Sequence, residues 1–134
     1  MAHLDRSLVG RRSEPVTFDV ERGAIRKFAD AIGDPHPDFQ RGEIAPPTFP
    51  TTFRVRVPGL DAVDPARLLH GEEEYEYVRP IRAGDRITVV RGVVDVYEKE
   101  GRLGRMTFVV SQVEGRDAAT GELVYRGRST LIVR

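Results

Sequence analysis

Phe28-Ala29-Asp30-Ala31-Ile32-Gly33-Asp34-Pro35-His36-Pro37-Asp38-Phe39 reads as the last turns of an amphipathic helix running into a stiff loop. Gly33 can supply the left-handed conformation that closes a helix without strain. Pro35 and Pro37 forbid helix continuation and hold the loop extended, so Asp34 and His36 are presented on a rigid scaffold. An acid and an imidazole two residues apart suit acid–base chemistry, and they are equally a common way to cap a turn. Upstream, Ile25, Phe28, Ala29 and Ile32 fall on one stripe of a 3.6-residue period, which predicts a helix over 21–32. Asp19 or Glu21 can serve its amino end. Before it, Val16, Phe18 and Val20 alternate with Thr17 and Asp19, as in a short half-buried strand.

Downstream the pattern changes. From Pro35 to Pro58 the prolines allow loops and one short helix, predicted over 48–54. After His70 the period becomes two, with Tyr75 and Tyr77 alternating against Glu74 and Glu76. Segments 86–98, 103–114 and 122–134 read as long strands rich in β-branched and aromatic residues. Residues 99–101 and 115–121 are predicted as the turns between them. Arg82-Ala83-Gly84-Asp85 reads as a hairpin turn with Gly84 at the tight position. The fold class is therefore α+β, a curved antiparallel sheet packed on a helix.

The chain has 134 residues, the size of one domain, with no repeat or linker. Its 21 basic and 21 acidic side chains cancel, so no global field favours nucleic acid or an anionic membrane. With no cysteine, thiol catalysis and disulfides are excluded, and a cytoplasmic location is the expectation. No stretch has signal-peptide or membrane-spanning character. His3 lies in a terminus expected to be mobile. Three histidines without paired spacing argue against a metal site.

The Gly33–Phe39 loop resembles the signature of the MaoC-like, R-specific enoyl thioester hydratases. There a Gly-Asp dipeptide is followed by a variable residue, Asn-Pro, an aliphatic residue and a catalytic histidine. Gly33, Asp34 and Pro37 match. His36 stands in the asparagine position, and Phe39 stands where the histidine belongs. Ile44-Ala45-Pro46-Pro47-Thr48-Phe49-Pro50 resembles the entry to that family's central helix. Leu69 to Tyr77, followed by Arg79-Pro80-Ile81-Arg82-Ala83-Gly84-Asp85, resembles its strand and following turn. Together, from about Pro15 to Arg134, they resemble the N-terminal type of MaoC-like dehydratase domain.

The resemblance implies a single hot-dog domain over residues 1–134, a sheet wrapped around a central helix that is short here. It implies a homodimer, or a heterodimer with a second hot-dog subunit, and no cofactor. Asp34 is then the family's water-positioning acid, or else a turn cap. His36 is a substitute base, or a loop histidine held by hydrogen bonds. Phe39, Pro47, Thr48, Phe49 and His70 are the expected substrate-binding residues. Backbone amides at the start of the central helix would polarise the thioester carbonyl. Arg79, Arg82, Arg86, Arg91, Arg126 and Arg128 suit coenzyme A or phosphopantetheine phosphates, or form a solvated face paired with glutamates.

The function implied is an acyl-thioester-binding subunit of an (R)-specific enoyl-CoA or enoyl-ACP hydratase or 3-hydroxyacyl dehydratase, completed by a partner holding the full Asp and His pair. The alternatives are a self-sufficient homodimer using Asp34 with His36 or His70, a silent module that binds acyl chains or a carrier protein, and a thioesterase. The last would use Asp34 or one of Glu72 to Glu74 to activate water.

Overall fold

The period-two segments pair as antiparallel neighbours, and the order of pairing sets the shape of the molecule. A computed structural model describes residues 4–60, 63–102 and 104–134. One sheet contains β1 (Val16–Asp19), β2 (Leu68–Tyr77), β3 (Arg86–Gly101), β4 (Gly104–Asp117) and β5 (Leu123–Val133). Its spatial order is β1-β3-β4-β5-β2. β3, β4 and β5 form consecutive hairpins, while β2 lies at the far edge on β5. The sheet is antiparallel and curved, as expected. His3 lies outside the described residues.

Two reversals move from where the sequence places them. Residues 99–101, predicted as a turn, are strand: Lys99, Glu100 and Gly101 pair with Met106, Arg105 and Gly104. The hairpin gains this length because its polar ends still interact. Lys99 sits over the Tyr97 and Phe108 rings, which stack 4.9 Å apart, and Arg105 faces Glu98 and Glu100. The predicted start of β4 at Leu103 lies outside the described residues. At the other end β4 runs on to Asp117. The Asp117 carboxylate accepts the amides of Thr120 and Ala119, which hold it below the usual carboxylate range.

Arg82 to Asp85 is a turn, with Gly84 at φ 91 and the Asp85 amide donating to the Arg82 carbonyl at 3.1 Å. It is not a hairpin, because β4 and β5 separate β2 from β3. It ends the crossover from β2 to β3, pinned by Arg79, which reaches Asp85 at 2.8 Å and Asp117 at 3.3 Å.

Helix α1 (Arg22–Ile32) begins at Glu21 without a side-chain cap and ends at Gly33, whose φ is 70. Ile25 and Ala29 are fully buried, and Phe28 packs half-buried at the flank. Ile32, expected on the same buried stripe, is 48% exposed. It shares the face of Ile25, but the core ends before it reaches the last turn.

The apolar interior has two parts. The larger joins Ile25, Phe49 and Phe53 to Ile81, Ile87, Val89, Val113 and Tyr125 on the sheet side. The smaller joins Leu4, Leu8 and Val57 to Val93, Val96 and Val109. Glycines make room for the tyrosines of the larger part. A Cβ on Gly115 would stand 2.0 Å from the Tyr125 ring, and one on Gly127 would stand 2.9 Å from Tyr75. Gly115→Ala is therefore expected to destabilise the domain by about 1–3 kcal/mol. Trimming the ring with Tyr125→Leu should make the second substitution cheaper than in the wild type, as a double-mutant cycle in urea would measure.

Candidate functional site

Between α1 and the sheet, Ile44 to Phe53 crosses the interior where the resemblance places a central helix. Ala45 donates to the Ile81 carbonyl at 2.8 Å, and the Tyr77 hydroxyl donates to the Pro47 carbonyl at 2.6 Å. The helix predicted over 48–54 is reduced to one 3-10 turn, Phe49–Thr52. Pro47 and Pro50 cannot donate backbone bonds, and Thr51 and Thr52 turn their hydroxyls back onto the Thr48 and Phe49 carbonyls, both at 2.9 Å. These contacts compete with a continuing helix.

That chemistry also thins the expected carbonyl-polarising amides. The Phe49 amide is taken by the Pro46 carbonyl at 2.9 Å. Thr48 keeps the one amide at this entry without an internal acceptor among the described residues. Pro47 and Thr48 are exposed, while Phe49 is 3% exposed, so it contributes packing rather than an open contact.

In the Gly33–Phe39 loop both polar side chains cap backbone. Asp34 Oδ1 accepts the His36 amide at 3.0 Å, and His36 Nδ1 accepts the Asp38 amide at 3.2 Å. The second bond caps helix α2 (Pro37–Gln40). Gln40 Nε2 ties the loop further by donating to the Asp34 carbonyl at 2.8 Å. Phe39 lies half-buried against the His36 ring, centroids 4.7 Å apart and planes tilted by 34°. Asp34 and His36 thus share one loop, with no hydrogen bond between their side chains among the described residues.

α1 connects this loop to the proline-rich segment. Phe28 meets Phe49 edge-on, ring centroids 5.5 Å apart. His70 lies elsewhere, exposed on edge strand β2 opposite Leu131, beside the bulge at Gly71. Glu72 and Glu74 stand exposed on the same strand, and Glu73 accepts the Tyr75 hydroxyl at 2.8 Å. No hydrogen bond joins His70 to Asp34 or His36 among the described residues. Of the arginines, Arg79, Arg86 and Arg126 pair with carboxylates, as a solvated charged face would. Arg91 does not. It points to the concave face with Ser111 and Ser129, three polar residues that the sequence reading had not combined. The signal was available: Val89, Arg91 and Val93 alternate on one face, and arginine interrupts an otherwise apolar row.

No group of three or more metal-ligating side chains occurs among the described residues, and none of their helices is long and apolar enough to cross a membrane.

Residues 7–126 match the family model described as FAS1-like, dehydratase domain region. A UPF0336 protein of Streptomyces griseus is 36% identical over 148 aligned residues, covering 98% of this chain and 95% of the relative. The C-terminally truncated HadBC (3R-hydroxyacyl-ACP dehydratase) complex of Mycobacterium tuberculosis superposes with a TM-score of 0.79 at 25% identity. It covers 96% of this chain and 99% of the matched one. The (R)-hydratase from A. caviae involved in PHA biosynthesis has the same fold, with a TM-score of 0.66 at 15% identity, covering 97% and 100%. The chain belongs to the FAS1-like dehydratase region family and has the hot-dog fold of the MaoC-like dehydratases and (R)-hydratases.

Proposed function

We propose that this chain binds acyl thioesters as one subunit of an (R)-specific hydratase or dehydratase, and that a second hot-dog subunit supplies the complete acid–base pair. The observation that carries this reading is Phe39. A phenyl ring packed at a tilt against His36 stands where the hydratase loop has its histidine, and it can neither take nor give a proton. Asp34 keeps its place in the loop but spends one oxygen on the His36 amide. The likeness to the HadBC dehydratase complex supports a partner. β2 supports it as well, because one side of this ten-residue strand pairs with β5 and the other is a free edge among the described residues.

The chain would hold the thioester near Thr48, whose amide is the open donor at that entry, with Pro47 and Phe39 alongside. His36, whose exposed ring has one nitrogen committed to the Asp38 amide, is the reserve base if the chain acts alone.

Co-purification of the chain from its native cell, followed by mass spectrometry, tests the partner. A second hot-dog chain with an intact Gly-Asp, Asn-Pro and His loop is the expected result. A homo-oligomer that dehydrates 3-hydroxyacyl thioesters briskly by itself would overturn it.

A further inference from the structure

Pro46 to Phe49 closes into a β-turn. The Phe49 amide donates to the Pro46 carbonyl at 2.9 Å. Pro47 fills the second position, which its fixed φ suits, and Thr48 fills the third at φ -94 and ψ 4. Those angles belong to a type I turn. A type II turn points its central peptide, here Pro47–Thr48, the opposite way and needs a positive φ at the third residue. No non-glycine residue among the described ones has a positive φ, and a β-branched residue such as Thr48 resists one.

That central peptide is also gripped from outside the turn. The Tyr77 hydroxyl, on β2, donates to the Pro47 carbonyl at 2.6 Å. In a trans peptide the carbonyl and the amide point in opposite directions. The Thr48 N–H belongs to the same peptide, so it faces away from Tyr77, on an exposed residue. It is the amide left without an internal acceptor at this entry among the described residues. Tyr77 is itself well placed to hold the turn. Its half-buried ring lies 5.9 Å from that of Tyr125 and 6.4 Å from that of Tyr75. Burial, with Tyr125 adding to it, pushes the Tyr77 hydroxyl above its ordinary ionisation range, so it remains a donor through neutral pH.

We propose that Tyr77 is a positioning residue whose hydroxyl sets the direction and the strength of the Thr48 amide that receives the thioester carbonyl. This rests on the thioester reading of the site. Direction follows from the turn: inverting the central peptide would break the Tyr77 bond and swing the Thr48 N–H toward the Tyr77 ring. Strength follows from polarisation. A hydrogen bond on the Pro47 carbonyl draws electron density toward its oxygen and leaves the N–H more positive, and linked bonds strengthen one another by about 10–30%. The quality of this amide matters because its neighbours are spent. Pro47 has no N–H, and the Phe49 N–H closes the turn, so one donor meets whatever charge builds on the carbonyl oxygen. Two features hold that donor in place, the Tyr77 hydroxyl and the β-branch of Thr48, and removing both should release it.

Nuclear magnetic resonance of the full chain tests this in the wild type, Tyr77→Phe, Thr48→Gly and the double variant. The probe is butyryl-coenzyme A isotope-labelled at the thioester carbonyl carbon, a saturated ligand that cannot be hydrated. Without ligand, Tyr77→Phe should move the Thr48 amide proton upfield. With ligand, the wild type should shift the carbonyl carbon downfield, and Tyr77→Phe should shrink that shift while weakening binding severalfold. The double variant should lose about threefold or more beyond the product of the two single losses, because its turn is free to invert. A bond that only anchors the chain would give losses that multiply and an unchanged carbonyl signal in the bound state. Either of those results, or an unmoved Thr48 amide in Tyr77→Phe, would overturn the proposal. If Tyr77→Phe does not fold, the wild type decides: its Tyr77 hydroxyl proton should move downfield with the Thr48 amide on binding, and an unmoved hydroxyl proton overturns the proposal. A wild type that leaves butyryl-coenzyme A unbound, or binds it without moving the Thr48 amide, would overturn the thioester reading and the proposal with it. That failure is told apart from the first because the effect of Tyr77→Phe on the free chain would persist.

Discussion

Purified alone, the chain should hydrate a short trans-2-enoyl thioester about 10²–10⁴-fold more slowly than a hot-dog hydratase with both acid–base groups in place. The loss follows from Phe39. Water addition across an enoyl thioester needs a proton taken from water and one delivered to the carbon, and a phenyl ring does neither. Binding should persist, since it draws on shape, on apolar surface and on the Thr48 amide rather than on proton transfer. Adding a partner with the complete loop should restore the rate, a gain visible as loss of enoyl absorbance. Phe39→His should raise the basal rate by less than the partner does. Its side chain would start from a helix whose cap already uses His36, and Asp34 already accepts the His36 amide. Asp34→Ala in that background should remove the gain. Brisk wild-type turnover that survives Asp34→Ala would remove both the partner reading and the role of Asp34, and would leave His36 and His70 as the groups to test.

The sheet was legible in the sequence because alternation is a two-residue signal repeated over long segments, and one slip would turn every side chain to the wrong face. The strands run to Gly101 and Asp117, into the predicted turns, because cation–aromatic, ion-pair and carboxylate–amide contacts reward extra pairing. No local propensity contains those terms. α1 was legible for the same periodic reason, but where its buried stripe ends depends on what the rest of the chain lays over it, which is why Ile32 is open. Of the candidate site, the Asp34 loop was legible as a stiff turn, and the capping bonds now seen were one of the two alternatives for Asp34 and for His36. Arg91 was legible only as one of six arginines suited to phosphates or to a solvated face, not as a neighbour of two buried serines. Those are Ser111 and Ser129, which register brings alongside from two other strands.

The second large effect is expected at Phe49, and it concerns how a domain of this fold manages with one 3-10 turn where a helix is expected. A helix would fill the concavity of the sheet with a ridge of side chains. Here four phenylalanines replace it in series. Phe18 on β1 stacks on Phe53 with ring centroids 4.9 Å apart, and Phe53 meets Phe49 edge-on at 5.5 Å. Phe49 in turn meets Phe28 of α1 edge-on at 5.5 Å. The chain of rings joins the first strand, the crossing segment and the first helix, three elements with few backbone bonds between them. Phe49 sits in its middle, 3% exposed, so removing it opens a cavity and breaks two ring contacts at once. Phe49→Ala should cost about 3–5 kcal/mol in urea unfolding, at the upper end because prolines on either side hinder the segment from collapsing inward. Phe49→Leu should cost less than half of that, since it keeps most of the volume and loses chiefly the edge-on geometry. If Phe49→Ala lowered stability by less than about 1 kcal/mol, the rings would not be what holds the crossing segment in the core, and the Pro46 to Phe53 stretch would have to be anchored by the Ala45 and Tyr77 hydrogen bonds alone.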